Sequence, residues 1–307
     1  MSSAVDSSVE RRMKESEDKG SCHIANATLS NRTDSQDKNV CQTVFEHLSC
    51  SSNLPGCCVL RCHSSCALFV AWNGVLVLVY QGFPPALVRA KQCLGQGVVP
   101  RLKRENFGSK WPKTTLAAVR NDAQALSWHG FQRLKNICTE YSQRMVSGNN
   151  TAGVEPIVVT KLSAVEYSCR SLEKLHNRVD IPLRMESTMN HVESVVAAEE
   201  KAIVDCVVDE WNQDLAAYLA KVNAPGSRIG SYREQSHQGA TCVIFLHPLP
   251  GAVRKQIANF RTAIDKEFPG RYVWLHEESL HCTLRSLDQE EIFYQSSVES
   301  KNTTESS

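Results

Sequence analysis

The stretch Ser279-Leu280-His281-Cys282-Thr283-Leu284-Arg285 closes the last apolar run of a chain of 307 residues. The pattern is typical of a β-strand, in which successive side chains point to opposite faces of the sheet. His281 and Thr283 then share one face, and the apolar residues beside them share the other. We therefore expect a strand with one face packed on helices and one polar face open to a ligand.

An earlier part of the chain has the same organisation. Residues 75–94 (VLVLVYQGFPPALVRAKQCL) and 242–260 (CVIFLHPLPGAVRKQIANF) both read as an apolar strand, a proline-bearing corner and an amphipathic helix. A second strand follows about thirty residues after each corner, WPKTTL at 111–116 and SLHCTL at 279–284. This internal repeat predicts two similar units that place their polar strand faces toward each other.

The motif H-x-T followed by leucine, reached through an apolar strand, an L-P corner, a helix and W-x-x-x-x-S-L, resembles the two-histidine phosphoesterase superfamily. More narrowly, it is similar to the RNA ligase/cyclic nucleotide phosphodiesterase family proteins. The resemblance covers most of residues 66–287, and its specific part is 243–287. It implies an α+β fold of two pseudo-symmetric lobes of antiparallel sheet, with helices outside and a central groove to which each lobe contributes one H-x-[T/S].

Composition and resemblance together predict three segments. Residues 1–52 are rich in Ser, Asn, Asp, Glu and Lys, so we expect them to be disordered. Residues 53–287 are expected to form the two-lobed phosphoesterase-like domain, one lobe with the Lys113 motif and the other with the His281 motif. Residues 288–307 are expected to form a disordered tail.

Local signals predict several elements within this domain. Asn73-Gly74 joins two apolar runs and is typical of a β-hairpin, and Ser127 is a candidate N-cap for a helix. Apolar residues recur at helical spacing from Val192 to Val222, which predicts one long amphipathic helix. The second lobe lacks a counterpart of residues 127–167, so we expect either that the N-terminal hairpin strand completes it or that the gene model is truncated.

The resemblance implies metal-independent action on 2′,3′-cyclic phosphates, 2′-5′ linkages or related phosphodiester ends of RNA or nucleotides. The functional positions of the family fall on His281 and Thr283, and on Lys113 and Thr115 with lysine in place of histidine. Opening a cyclic phosphate needs one group that accepts a proton from water and one that donates a proton to the leaving oxygen. Imidazole, with an unperturbed pKa of ~6.5, suits both tasks.

Lysine has an unperturbed pKa of ~10.4 and is a poor base unless burial lowers that pKa. We therefore expect His281 to be the general base or acid, and Lys113 to be an electrostatic clamp or proton donor. Thr115 and Thr283 are expected to donate hydrogen bonds to the phosphate. The alternative is that both pairs are ordinary polar positions on half-exposed strands.

Two further residues are candidate substrate contacts. Arg285 lies two residues beyond Thr283, on the same face if the strand is regular, where it could hold a second phosphate; the alternative is a solvated charge at the strand end. Tyr232 lies in the run that precedes the first strand of the second lobe, where it could contact substrate; the alternative is that this run is a plain linker. Three residues are candidates for the proton-transfer group that the first motif lacks: His276, His247 and Tyr232.

The charge balance limits the partners. With 34 basic and 33 acidic residues the net charge is +1, so no overall field attracts nucleic acid or an anionic membrane. The most apolar stretch, 66–80, is shorter than the ~20 residues that span a bilayer. We expect an RNA end or a cyclic nucleotide as ligand, no DNA, no membrane association, a monomer and a cytoplasmic location. A plastid location stays open, although acidic residues near the start argue against it.

The thirteen cysteines are expected to be reduced, because no secretory signal precedes them. Their densest cluster, Cys57-Cys58-x-x-x-Cys62-His63-x-x-Cys66, lacks the paired spacing of a structural zinc site. We expect neither a metal nor a cofactor. Phosphate-binding glycine motifs such as G-x-x-x-x-G-K-[S/T] and G-x-G-x-x-G do not occur.

Three hypotheses follow from the sequence. The first is a phosphodiesterase-like hydrolase with one surviving histidine, His281. The second is a non-catalytic phosphate- or RNA-binding module with a degenerate site. The third is a vestigial groove, with the helix predicted at 192–222 contacting a protein partner. The sequence leaves the natural substrate open.

Overall fold

The computed structural model describes residues 40–50, 56–95, 102–103, 105, 110–146, 155–184, 196–235 and 238–288. Within these ranges the fold combines seven α-helices with ten strands that pair antiparallel, as the predicted α+β class requires. The strands are β1 Cys58–Leu60, β2 Leu68–Val70, β3 Leu76–Val79, β4 Lys113–Val119, β5 Ile157–Val159, β6 Lys161–Tyr167, β7 Leu175–Pro182, β8 Gly239–Phe245, β9 Tyr272–Trp274 and β10 His281–Ser286. The helices are α1 Val40–Cys50, α2 Pro85–Gly95, α3 Trp128–Val146, α4 Ala198–Gln213, α5 Leu215–Asn223, α6 Ile229–Arg233 and α7 Gly251–Glu267.

The main sheet has eight strands. Seven of them lie in the order β2-β3-β4-β10-β8-β6-β7, and β9 pairs with β4 beside β10. β1 and β5 form a separate two-stranded ladder. The two central strands, β4 and β10, are therefore neighbours although more than 150 residues separate them in the sequence.

One register contact joins these central strands, because Cys282 pairs with Thr114. Both side chains are completely buried. In an antiparallel pair the residues on either side of such a contact point to the opposite face and lie opposite each other. The register therefore sets His281 across from Thr115 and Thr283 across from Lys113.

The hydrophobic core divides into two clusters. The larger one includes Cys282 and Leu284 of β10, the buried faces of the helices, and an aromatic group in which the Trp211 ring meets Phe131 and Tyr218 edge-on. A smaller cluster forms beside the polar strand faces: Val165, Leu172 and Val243. The sheet is thus heavily packed on one side of β10 and only lightly filled on the other.

The predicted hairpin is confirmed. β2 and β3 pair antiparallel, and the loop that joins them contains Asn73 and Gly74, which both have positive φ (61° and 76°). A Cβ at Gly74 would lie 2.7 Å from Val119 Cγ2, so packing as well as φ requires glycine here. The predicted cap of α3 is also present, since the Gly130 N–H donates to Ser127 Oγ at 3.1 Å.

The N-terminal part of the chain contains an element that composition did not predict. Val40–Cys50, inside the segment expected to be disordered, forms helix α1 and buries Cys41, Val44 and Leu48 against β6 and β7. Three apolar residues at helical spacing are enough to fix one short helix on an existing sheet, even in a polar surrounding sequence. The expectations for residues 1–39 and 289–307 lie outside the described residues.

The long helix expected from Val192 to Val222 is instead two helices. Asp214 leaves the helical conformation (φ −107°, ψ 94°), and its carboxylate caps α5 by accepting from the N–H groups of Ala216 and Ala217 at 3.0 Å. Six apolar side chains of α4 and α5 are buried in the core of this chain: Val204, Val207, Val208, Trp211, Tyr218 and Val222. Residues 192–195 lie outside the described residues.

The expectation that the N-terminal hairpin completes the second unit is wrong. The strand beside β8 is β6, from the middle of the chain, whereas β2 lies at the opposite end of the sheet. β7, which pairs with β6, was not predicted either, because its sequence LHNRVDIP lacks a run of apolar residues. Among the described helices, none has both the length and the apolar character needed to cross a bilayer.

A buried hydrogen bond next to the central strand pair sets a first testable expectation. The hydroxyls of Tyr80 and Thr114 lie 2.9 Å apart, and neither residue is exposed. Tyr80→Phe leaves the Thr114 hydroxyl without this partner, so we expect a loss of about 1–2 kcal/mol in the free energy of unfolding, measured by urea denaturation. The double variant Tyr80→Phe, Thr114→Val should lose less free energy of unfolding than the two single variants together. Losses that simply add would contradict the hydrogen bond.

Candidate functional site

A cavity of about 240 Å³ lies over the polar faces of the central strands. The four residues predicted from the two motifs all contribute to its lining: Lys113, Thr115, His281 and Thr283. In this register His281 lies opposite Thr115 and Thr283 opposite Lys113, so Lys113 and His281 are diagonal neighbours, typically about 7–8 Å apart. The sequence-predicted residues therefore meet in one place.

His281 is oriented by its own backbone neighbourhood. Its Nδ1 lies 2.7 Å from the Ser279 carbonyl oxygen, and since a carbonyl only accepts, Nδ1 carries the proton. Nε2 is then left with a lone pair, the form that a general base requires. Burial lowers the pKa of His281 below its ordinary value, and the hydrogen bond to Ser279 opposes this only in part. The Phe245 ring adds an edge-on contact at 6.2 Å between ring centroids.

Lys113 lies in a cationic environment. Burial, followed by the charges of Lys110 and Arg170, lowers its pKa to about 8, while the nearby Cys282 thiol has the opposite effect. No carboxylate of the described residues forms an ion pair with it. Its Nζ instead lies 4.1 Å from the centre of the Trp111 ring. At neutral pH the ammonium is therefore mostly protonated, yet far more able to give up a proton than an exposed lysine.

Thr115 and Thr283 are half-buried and line the cavity beside these two groups. Neither hydroxyl has a hydrogen-bond partner within the described part of the chain. A hydroxyl at a polar cavity wall with no protein partner is available to donate to a bound oxygen atom. The two threonines, one from each central strand, can thus hold the same anion from two sides.

The walls of the cavity add residues that sequence reasoning missed. Arg170, in the turn between β6 and β7, lies over the Tyr232 ring at 5.1 Å from its centroid, and Lys110 precedes β4. The candidate Tyr232 does line the cavity. Lys110 could have been found from its position directly before the repeated segment WPKTTL, but Arg170 could not, because nothing in the sequence places the β6–β7 turn over β4 and β10.

One carboxylate contributes to the rim. Asp288 lines the cavity and accepts from the Ser286 hydroxyl at 2.5 Å and from the Ala240 N–H at 3.4 Å. Tyr167 stands nearby, and burial together with the charge of Asp288 raises its pKa. The lining therefore carries three cations against one carboxylate, which favours an anionic ligand.

Arg285 is not in the cavity, contrary to the expectation from simple alternation. The register between β10 and β8 shifts between Thr283 and Arg285, a β-bulge that turns the arginine to the packed face. There its guanidinium donates to the Lys103 carbonyl oxygen at 3.3 Å and approaches Gly95 at the end of α2. Only 7% of the residue is exposed, so it is not a second phosphate contact.

Two of the alternative proton-transfer candidates also lie elsewhere. His247 faces Glu277 at 3.6 Å, on the outside of the molecule, and does not line the cavity. His276 is likewise absent from the lining, and its backbone N–H donates to Glu173 at 3.2 Å. Tyr232 is thus the one of the three named candidates that reaches the cavity.

The histidine of the cysteine-rich stretch, His63, forms hydrogen bonds within the protein. His63 Nε2 lies 3.0 Å from Asp205 on α4, and Nδ1 accepts from the Cys66 N–H at 3.1 Å. Burial raises the pKa of Cys62 and of Cys66 to about 12. Within the described residues, no group of three or more potential ligands is arranged to hold a metal ion.

Comparison with protein-family models, with curated proteins and with solved structures finds no significant match to this chain. The geometry of the cavity is therefore the basis for any functional assignment.

The buried cation at the cavity floor sets a stability test. The pKa of Lys113 is about 8 in the folded chain and near 10.5 when unfolded, so its charge opposes folding at pH 7. We expect Lys113→Met to raise the free energy of unfolding at pH 7 by about 1–3 kcal/mol, discounted for partial solvent access. Because the native lysine loses its proton first, the gain should shrink between pH 8 and 10.5.

Urea denaturation at pH 7 and pH 10 measures this effect. Lys113→Arg is the matched control, since it keeps the charge and should give no such gain. A loss of stability in Lys113→Met at pH 7 would show that the ammonium is well solvated in the folded chain.

Proposed function

We propose that this chain is a metal-independent phosphodiesterase-like protein that binds a cyclic phosphate or phosphodiester of a nucleotide or RNA end in the central cavity. One observation carries the proposal, the meeting of four motif side chains on one cavity floor: Lys113, Thr115, His281 and Thr283. An anion between the two central strands would contact a hydroxyl and a proton-transfer group from each of them. This is the arrangement that opening a cyclic phosphate requires.

The proposal includes a pseudo-twofold relation between two units, β3-α2-β4 and β8-α7-β10. The strand order β3-β4-β10-β8 supports it. The motif strands β4 and β10 lie side by side in the middle, and the first strand of each unit, β3 or β8, lies on the outer side of its motif strand. A twofold axis between antiparallel β4 and β10 would exchange the two motifs. The cavity would then be the groove shared by both lobes.

The proton-transfer roles follow from the two pKa shifts. With its pKa lowered and Nε2 unprotonated, His281 would take a proton from the attacking water. Lys113, mostly protonated at pH 7 but with a pKa near 8, would give its proton to the leaving ribose oxygen. The hydroxyls of Thr115 and Thr283 would donate to the non-bridging oxygens, where negative charge increases in the transition state. The product is a phosphomonoester.

Hydrolysis of a 2′,3′-cyclic nucleotide tests these roles. Wild type should give a bell-shaped pH profile of kcat/KM, with a rising limb below pH 6.5 from His281 and a falling limb near pH 8 from Lys113. His281→Ala should lower kcat/KM by about 10²–10⁴-fold. His247→Ala, a histidine outside the cavity, is the matched control and should leave it unchanged. Equal loss in both variants would contradict a specific role for His281.

A second test rebuilds the motif. Lys113→His restores H-x-T on β4, and because imidazole titrates lower than this lysine, the falling limb of the pH profile should move below pH 8. We expect kcat at pH 6.5 to equal or exceed that of wild type. Lys113→Arg should lower kcat and remove the falling limb below pH 10, since a guanidinium does not release its proton in this range. An unchanged falling limb in both variants would show that Lys113 is not the acid.

The second candidate function is a non-catalytic phosphate- or RNA-binding module. The observation that favours it is the cation group Lys110, Lys113 and Arg170, which outnumbers the one carboxylate of the described lining and suits anion retention more than proton exchange. Isothermal titration with a 2′,3′-cyclic nucleotide separates the two functions. If the nucleotide binds in a way that depends on His281 but is hydrolysed no faster than in a blank without protein, the protein is a binding module and not an enzyme.

A further inference from the structure

Within the described residues, Lys113 lacks the carboxylate partner that a lysine in a protein interior usually has. A buried ammonium is normally paired with a carboxylate, yet the charged groups that face Lys113 are cationic, Lys110 and Arg170, and Cys282 contributes only a neutral thiol from the packed face. The described residues place no carboxylate in ion-pair contact with its Nζ. Some other feature must hold the ammonium at the cavity floor.

That feature is the indole of Trp111. The Lys113 Nζ lies 4.1 Å from the ring centroid, well inside the range of about 6 Å over which a cation is attracted by the negative face of an aromatic ring. The other cation–π contact of a lining cation, Arg170 over Tyr232, is longer, at 5.1 Å. Of these two cation–π contacts in the cavity lining, the one between Lys113 and Trp111 is therefore the shorter.

The indole itself is fixed. Its ring stacks on Phe69 with centroids 6.2 Å apart and planes 23° from parallel, and Phe69 is completely buried. The next residue, Pro112, is buried and accepts the Tyr80 N–H at its carbonyl oxygen at 3.2 Å. The platform under Lys113 is therefore attached to the core at two points.

We propose that Trp111 is the positioning residue of Lys113, holding its ammonium at the cavity floor through the ring face so that the charge stays available to an anionic ligand. A carboxylate in this place would neutralise the charge and compete with the ligand for it. The ring face stabilises the ammonium but leaves its N–H donors free. Any effect of this contact on proton donation by Lys113 rests on the proposed function. The contact between Lys113 and Trp111 does not depend on that function.

The test changes the ring electrostatics and keeps its shape. Mono-, di- and trifluorinated tryptophans are incorporated at position 111 alone, and the pKa of Lys113 is read from the ¹³Cε shift of labelled lysine in the ligand-free protein, assigned with Lys113→Arg. Fluorine withdraws electron density from the ring, so the ammonium loses stabilisation and the pKa should fall stepwise, by about 0.5–1 unit for the trifluoro ring. A pKa that stays constant or rises across the series overturns the proposal.

Trp128 provides the matched control. It is 45% exposed, packs beside Phe131 and has no described cation over its ring. The same fluorinated residues at position 128 should leave the pKa of Lys113 unchanged, and the thermal midpoint of each protein verifies the fold. A fall in the pKa with the position-128 series as well would also overturn the assignment, because the effect would not be specific to Trp111.

The kinetic consequence is measured separately. If the cyclic nucleotide is hydrolysed, the falling limb of the pH profile should move to lower pH with fluorination at 111, in step with the titration. A limb that stays fixed while the pKa of Lys113 moves would show that Lys113 is not the proton donor. In that case Lys113 is not the catalytic acid, and the positioning of Lys113 by Trp111 is unaffected.

Discussion

The pairing of Cys282 with Thr114 is the contact on which the candidate site depends. It sets the register between β4 and β10, and in a strand pair a slip by one residue turns every side chain to the opposite face. A slip of β10 would bury His281 under helices and bring Cys282 into the cavity, and a slip of β4 would do the same to Lys113 and Thr114. The cost of placing an ionisable group in the packed core opposes either slip, and a slip of β4 would also lose the bond between Tyr80 and Thr114. The register and the cavity chemistry are thus selected together.

Two different kinds of neighbour act on the two proton-transfer candidates. On β10, the Ser279 carbonyl fixes which nitrogen of His281 carries the proton. On β4, the Trp111 ring supports a charge without neutralising it. Burial lowers both pKa values, which keeps the imidazole neutral and makes the ammonium more acidic. Under the proposed function, a site in which one strand presents histidine and the other lysine contains one base and one acid at neutral pH.

Much of this arrangement could be predicted from sequence, where local signals were strong. The hairpin at Asn73-Gly74 follows from turn chemistry. The meeting of the two motif pairs follows from the internal repeat, with strand alternation giving the face of each pair. The prediction for Arg285 was wrong because a β-bulge interrupts that alternation, and no residue pattern marks a bulge of this kind. The helix break at Asp214 was missed because its cap depends on a local change of backbone direction. Arg170 was missed because its place over the site depends on the whole β6–β7 pairing, which only the assembled sheet determines.

Helix α1 covers part of the sheet that would otherwise face water. Its Cys41 lies close enough to Cys242 of β8 for the two thiols to affect each other electrostatically, and burial raises the pKa of both to about 12. Thiols in this state are poor nucleophiles and resist oxidation. A fragment trimmed to begin at residue 53 would uncover β6 and β7 and open Cys242 to solvent. A fragment that keeps this face of the sheet and the Cys242 thiol covered therefore has to begin no later than Val40.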